Sequence, residues 1–320
     1  MNIIGRVTEK IKNGAQLLIR NSVRVIAAFS WSRWALNCLY LELSPSRRAL
    51  FHSKYSDLFK KNYIKGRDGN WQVVFAKKSI LMPLTSAHFW LDWERAVSIV
   101  GHDVEVQQTY EAIIGSSSKR PTLFIDIGAN YGTHSLLFLV HGIKTITFEP
   151  NSLCHDYFMQ ICKLNHVTPT LENLALGASQ GVVELAYPKR DTSLGSINTN
   201  IIKILSQSQE LAIEKVTLKT LDNYFPKIEH NRTLIKIDTE GNELAVLEGA
   251  TKTIQEVQPV IIFECWTWNS NERTKIFDFF GSKNYSLYHL PWTPEYKAES
   301  LTFDHFLASS STNFIAVPIS

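Results

Sequence analysis

Phe124-Ile-Asp126-Ile-Gly128-Ala-Asn130-Tyr-Gly132-Thr-His134 is the stretch that decides the fold of this 320-residue chain. The apolar run Thr122–Ile127 has the texture of a strand buried on both faces of a parallel sheet. It carries an acidic residue near its end, passes into a glycine-bearing turn and then into a helical segment, Ser135–His141. Gly128 and Gly132 let a backbone approach a ligand where a Cβ would obstruct it, and the N–H groups of such a turn can bind one. The spacing is GxxxG. It differs from the GxGxxG of dinucleotide sites, and no GKS or GKT triplet follows as a phosphate loop requires. Asp126 also opposes pyrophosphate, because a carboxylate repels phosphates. It suits a ligand carrying ammonium or hydroxyl groups.

Working outward, strands and helices alternate from Pro121 onward. Thr145–Phe148 reads as a strand and Ser152–Leu164 as a helix with Leu153, Tyr157, Ile161 and Leu164 on one face. Leu234–Ile237 is a further strand, Asn242–Val257 one helix, and Val260–Phe263 a strand. Tyr285–His289 and Asn313–Val317 could close the sheet as a hairpin. Such alternation predicts an open, mostly parallel α/β sheet with helices on both faces. Residues 177–220 break the rhythm: Val182–Ala186 and Val216–Leu218 look like strands around a polar stretch, as in an insertion or lid.

Acidic residues recur at the ends of these strands. Glu149, followed by Pro150-Asn151, stands where a carboxylate commonly accepts both hydroxyls of a ribose; a cap for the next helix is the plainer reading. Leu234-Ile-Lys236-Ile-Asp238-Thr-Glu240-Gly241-Asn-Glu243 brings Asp238 and Glu240 to the sheet's carboxyl edge, where ligands of open α/β sheets bind. Lys236 alternates with two isoleucines, so its charge must reach a strand end or a partner. Glu243 reads as a first-turn helix carboxylate favoured by the dipole. Glu264 ends the next strand at the same rim. Trp266 and Trp268 follow it and are candidates for substrate contact, whereas packing is the reading for Trp90 and Trp93. His134 reads as structural.

The composition is that of a globular chain, with 44% apolar residues and 33 Lys+Arg against 30 Asp+Glu. The charge is uneven. Residues 1–48 hold eight basic and two acidic side chains, a balance of +6, which leaves −3 for the rest. A nearly neutral body does not suit nucleic acid, whose binding rests on many phosphate contacts. Cys38, Cys154, Cys162 and Cys265 are widely spaced without zinc-ligand pattern, as free thiols in a reducing compartment are. No run approaches a membrane span, and the first apolar run starts late without a small-residue cleavage site, so a cytoplasmic protein is expected. Three zones are predicted: a helical N-terminal extension over 1–65, a β-rich and helical lead-in over 66–118, and the α/β domain over 119–320. In the first, Ile4, Val7, Ile11, Leu18 and Val25 form the stripe of an amphipathic helix. With its basic charge it suits peripheral contact with an anionic membrane or a protein; a helix that caps the core is the plainer reading.

FIDIGANYG, TFEPN, the Glu172–Gly177 segment ENLALG and the run TLDNYF…LIKIDTEGNELAVLEGA…PVIIFE together resemble the FkbM-type S-adenosylmethionine-dependent methyltransferases. The resemblance spans roughly residues 120–265, and KID-x-EG-x-E followed by LEGA is its most specific block. It implies the class I methyltransferase fold, a Rossmann-like sheet, and S-adenosylmethionine as cofactor. Asp126, Gly128, Ala129, Asn130 and Gly132 would line the methionine and ribose end, Glu149 would hold the ribose, and Asn173 to Ala175 would flank the adenine. Methyl transfer from a sulfonium to a hydroxyl is an in-line displacement in which a dry, aligned crevice supplies most of the acceleration. A base must still take the hydroxyl proton. Asp238 or Glu240 is the candidate, with Glu264 as the alternative. The same three carboxylates could instead hold a divalent cation, which is not the expectation. The acceptor expected is a hydroxyl of a small molecule, a glycan or a polyketide-like metabolite. N-methylation, a non-catalytic cofactor-binding module and, further off, an NAD-dependent dehydrogenase are the competing readings. Methylation of nucleic acid is disfavoured, as no NPPY-like or DPPY-like tetrapeptide follows the fourth strand.

Overall fold

The computed structural model of the chain describes residues 70–83, 103–189, 192–227, 232–296 and 298–319, with isolated positions between 14 and 47. Most of the amphipathic, basic extension and of the helix-prone zone to residue 65 therefore lies outside the described residues, as do Trp90 and Trp93. Contacts group the chain into two units, Met1–Val104 and Glu105–Ser320.

In the first unit, β1 (Asn70–Phe75) and β2 (Lys78–Pro83) form an antiparallel hairpin. Ala76 and Lys77 both take positive φ, the backbone that a two-residue hairpin turn requires to match the strand twist. Val73, Phe75, Ile80 and Met82 alternate onto one buried face.

The second unit is built on a seven-stranded sheet. Its strands are β3 (Leu123–Ile127), β4 (Lys144–Phe148), β5 (Thr170–Glu172), β9 (Thr233–Ile237), β10 (Val260–Glu264), β11 (Tyr285–His289) and β12 (Asn313–Pro318). Their spatial order is β11-β12-β10-β9-β3-β4-β5. All neighbours from β10 to β5 pair in parallel, and β12 runs antiparallel to both β10 and β11. The last two strands thus pair as a hairpin would, but the later strand is the inner one, and helix α8 (Phe303–Ala308) lies in the connection. Chain order reverses between β3 and β9, and that reversal opens a crevice at the carboxyl ends of these two strands.

Every residue of β3 and β9 is buried, which explains their unbroken apolar texture. Helix α1 (Val104–Gly115) brings Tyr110 edge-on against Phe124 and Phe138, the latter from α2 (Thr133–Leu139). Helix α3 (Ser152–Leu164) starts where the Asn151 side chain accepts the Leu153 N–H at 3.0 Å. The Asn242–Val257 stretch is two helices rather than one, α5 (Glu243–Glu248) and α6 (Thr251–Val257). Asp222 makes the break: its N–H donates to Gly249 O, and its carboxylate accepts from the N–H groups of Lys252 and Thr253. A cap from a residue thirty positions away leaves no trace in helical periodicity.

Residues 175–219 form a second, three-stranded sheet of β6 (Ala175–Leu176), β7 (Gly181–Pro188) and β8 (Leu211–Lys219), in the order β6-β8-β7. Between β7 and β8 run a short 3₁₀ turn, Thr192–Leu194, and helix α4 (Thr199–Ser206). This is the insertion expected over 177–220. No helix among the described residues is long and apolar enough to cross a membrane.

Candidate active site

The turn after β3 is rigid because the chain fills it. Gly128 sits at φ +77°, and a Cβ there would meet the Asp238 carbonyl oxygen at 1.8 Å. Gly132, at φ +66°, has the Phe158 ring where its Cβ would go, 2.1 Å away. Both glycines are thus demanded by close approach of the protein to itself as well as by backbone conformation. Gly128 and Ala129 donate their N–H groups to Phe148 O at 3.0 and 3.1 Å, and Gly132 donates to Ala129 O. Asn130, at φ +50°, donates its N–H to the Glu149 carboxylate.

Asp126 and Glu149 face this turn from neighbouring strands. Asp126 is fully buried. Its Oδ2 accepts from the Ser135 N–H at 3.0 Å and the Ser135 hydroxyl at 2.8 Å, while its Oδ1 is buried without a partner. Burial raises its pKa above the ordinary carboxylate value, against the opposing charge of Lys236. Glu149 accepts from Asn130 N through Oε2 and from Asn151 N at 2.7 Å through Oε1. Burial pushes it up to about 7. Each carboxylate oxygen can take a second hydrogen bond, so both side chains retain acceptor capacity toward a ligand.

Across the crevice, β9 ends in Asp238 and β10 in Glu264. Lys236 sits in register with Asp126 on β3, and its Nζ donates to Asp238 Oδ2 at 2.8 Å. The Lys236 side chain is only 6% exposed, so the strand lysine finds its partner two residues along its own chain. One carboxylate oxygen each of Asp238, Glu240 and Glu264 lies within 4.8 Å of the other two. Glu264 has its Oε2 buried without a hydrogen bond. Burial, reinforced by the charges of Asp238 and Glu240, pushes it up to about 10.

Glu243 organises the loop between the two carboxylate-bearing segments. Its Oε1 accepts from Thr239 N at 2.8 Å, the Thr239 hydroxyl at 2.9 Å and Gly241 N at 3.2 Å. The insertion reaches the same loop. Ser196 Oγ donates to Glu240 O at 2.8 Å, Asn198 Nδ2 to Gly241 O, and Thr192 Oγ1 to Asn130 Oδ1 at 3.2 Å. Sequence reasoning had no hold on these three residues, although the Asn198 side chain also accepts the Asn200 N–H and caps α4, a pattern legible in principle.

The structure therefore gathers Asp126, Gly128, Ala129, Asn130, Gly132 and Glu149 on one side of the crevice, and Asp238, Glu240 and Glu264 on the other. Trp266 and Trp268 continue from β10 with ring centroids 5.3 Å apart. Asn173 is exposed just beyond β5. Ala175 is committed to the core of the small sheet with Leu185, Tyr187, Val216 and Leu218. His134 hydrogen-bonds Tyr110 Oη through Nδ1 at 3.0 Å, consistent with a structural part.

A model of the methyltransferase FkbM domain matches residues 126–287, half of the chain, beginning at Asp126 itself. The chain belongs to the FkbM methyltransferase family. It is 27% identical to methyltransferase sdnD of Sordaria araneosa, over 44% of this chain and 65% of that protein. It is 24% identical to the hexuronic acid methyltransferase AglP of Haloferax volcanii, over 50% of this chain and 63% of that one. The chain thus spans just under two thirds of the length of these relatives. Among solved structures it resembles methyltransferase FkbM from Methylobacillus flagellatus, with TM-score 0.40, 13% identity, and coverage of 70% of this chain and 54% of that one. It also resembles a SAM-dependent methyltransferase from Agrobacterium tumefaciens, with TM-score 0.39, 8% identity, and coverage of 80% and 72%. The sheet of this FkbM-family chain, parallel except for the inserted β12, is the class I methyltransferase arrangement.

Proposed function

We propose that this FkbM-family methyltransferase moves the methyl group of S-adenosylmethionine onto a hydroxyl of a small molecule, glycan or polyketide-like acceptor. The observation that carries the reading is the pairing of two carboxylate groups across one crevice. Asp126 and Glu149 stand on the side of the glycine turn, and the Asp238, Glu240 and Glu264 trio stands opposite.

The residues present fit the cofactor. The orphaned, buried Oδ1 of Asp126 is an acceptor suited to an ammonium group, and Glu149 has spare lone pairs for a ribose diol. Gly128, Ala129, Asn130 and Gly132 would line the same end, Asn173 the outer edge beyond β5; Ala175 would act only through the packing beneath it. When bound, the cofactor supplies an electrophilic methyl carbon: the O–C bond forms as the S–C bond breaks, and the bonding pair stays on sulfur. The chain's own groups handle orientation and the proton. Asp238 or Glu240 takes the hydroxyl proton, and Lys236 fixes the orientation of Asp238; Glu264, the alternative, is pushed by burial to about 10 and serves as a base only at high pH. The insertion, bonded to Glu240, Gly241 and Asn130, borders the loop from which the base acts and holds its backbone in place.

A divalent cation held by Asp238, Glu240 and Glu264 is the second reading, favoured by how close their oxygens lie. Asp238→Ala separates these ideas from a purely binding role. Loss of transfer by about a hundredfold or more, with S-adenosylhomocysteine affinity kept, is the expected outcome. Unchanged turnover eliminates Asp238 as base, and an undiminished rate in chelator removes the metal. Mass spectrometry of products made with a deuteromethyl donor shows whether the label sits on oxygen or nitrogen.

A further inference from the structure

The loop from Cys265 to Asn269, between β10 and helix α7 (Ser270–Ser282), carries an aromatic surface beside the carboxylate trio. Trp266 is half-buried, and a Cβ at Gly241 would lie 3.5 Å from its ring. Trp266 therefore abuts the residue that follows Glu240. Trp268 is 61% exposed, tilted 35° to Trp266. A large ring left this open costs apolar hydration unless something covers it in use.

The loop is held rigid from below. Arg273 is completely buried, yet among the described residues no carboxylate forms an ion pair with it. Its guanidinium donates to the backbone carbonyls of Cys265, Trp266, Phe306, Ser309 and Ser311. The Phe306 and Phe314 rings lie 5.4 and 5.2 Å from it. At the other end Asn269 caps α7 by accepting the Glu272 N–H at 3.2 Å. The aromatic pair is consequently preformed, with little ordering cost left for binding.

The polar chemistry beside it is one-sided. The carboxyl oxygens of Asp238, Glu240 and Glu264 can accept from ligand hydroxyls, whereas a ligand carboxylate would crowd a further acid onto a rim that already carries three. Lys236 and Arg273, which lie near this edge, are both buried and committed, the first to Asp238 and the second to carbonyls. Neither offers the exposed fork or ammonium that recognises an anion. An apolar face beside several acceptors fits a ring that has a C–H face and a rim of hydroxyls.

We propose that Trp266 and Trp268 are the acceptor platform and that the acceptor is an electrically neutral sugar ring, stacked there with a hydroxyl turned toward Asp238, Glu240 and Glu264. This rests on the methyltransferase reading above and narrows its acceptor class.

Saturation-transfer NMR on the full chain with S-adenosylhomocysteine present tests it, using methyl glucopyranoside, methyl mannopyranoside, methyl galactopyranoside and the matching methyl uronides. Signal transfer to the C–H protons of one face of a neutral pyranoside is expected, with Trp268→Ala weakening it about tenfold. Trp268 is exposed, so the variant's circular dichroism and its S-adenosylhomocysteine affinity should match the parent. Equal binding by Trp268→Ala, stronger binding of the uronides, or no neutral pyranoside bound up to about 10 mM overturns the platform. Failure to bind S-adenosylhomocysteine would instead overturn the cofactor reading itself.

Discussion

Gly128 shows how one atom can be decisive. Its missing side chain leaves room for the Asp238 carbonyl, and the Asp238 N–H donates in turn to Ile127 O at 3.0 Å. The two strand ends that carry opposite halves of the site are thus locked together at this residue. The glycine is legible in the sequence, but as a place for a ligand to approach; the structure adds that the nearest neighbour is the chain's own backbone. Gly128→Ala should destabilise the protein by about 2–5 kcal/mol, from the positive φ and the overlap together. Thermal melting checks this, and a melting temperature within a degree of the parent would show that the strand ends can part. Lys236 and Glu243 make a related point. Alternation marks Lys236 as buried, and only the folded chain shows Asp238 as its partner. Glu243 is a first-turn carboxylate, as its position suggests, and its oxygen also gathers Thr239 and Gly241.

At the scale of elements, the loop after β10 is tied to α7 by Arg273 from below and by the Asn269 cap at its end. Arg273 gives one strand-to-helix connection and the start of β12 a shared anchor, since its carbonyl partners run from Cys265 to Ser311. Removing it leaves several buried carbonyls without donors, each costing about 1–3 kcal/mol. Arg273→Met should therefore lose on the order of 3 kcal/mol or more in denaturant unfolding. Arg273→Lys should restore little of it, because an ammonium cannot reproduce the planar fork. Sequence periodicity could not reveal this, as Arg273 reads as one more polar residue on a helix. The break between α5 and α6 escaped for the same reason: its cap, Asp222, is remote in sequence. By contrast β3, β4, β9 and β10 were all legible, because strands buried on both faces need unbroken apolar runs.

At the scale of the whole molecule, burying carboxylates to build a site costs stability in a pH-dependent way. Glu149 and Glu243 are both pushed by burial from the ordinary 4.5 to about 7. Both are raised in the folded state, so their contribution is fully present below about 4.5 and is lost as pH rises through about 7. Glu264, raised to about 10, extends the decline to higher pH. The ligand-free protein should then melt at lower temperature at pH 7.5 than at pH 5, with a smaller difference in Glu243→Gln. A melting temperature that rises over that interval would contradict the burial account. For the basic first 48 residues, of which only isolated positions are described, we propose contact with an anionic membrane or a protein.

What the sequence determined by itself is local: which runs are strands, where the glycine turn lies, and that carboxylates stand at several strand ends. These follow from periodicity and residue chemistry within a dozen positions. The resemblance of four blocks added the family, which the matching domain model bears out. Only the tertiary structure decided which strand ends are neighbours. Asp126 and Lys236 are 110 positions apart and sit side by side because β3, flanked on one edge by the sequence-adjacent β4, pairs on its other edge with the distant β9. The insertion's bonds to Glu240 and Gly241, the five carbonyls of Arg273 and the place of Ala175 in a separate core are decided in the same way. Hydrogen bonds and burial act through space over a few ångströms, and a chain's order along itself does not specify which of its distant parts come that close.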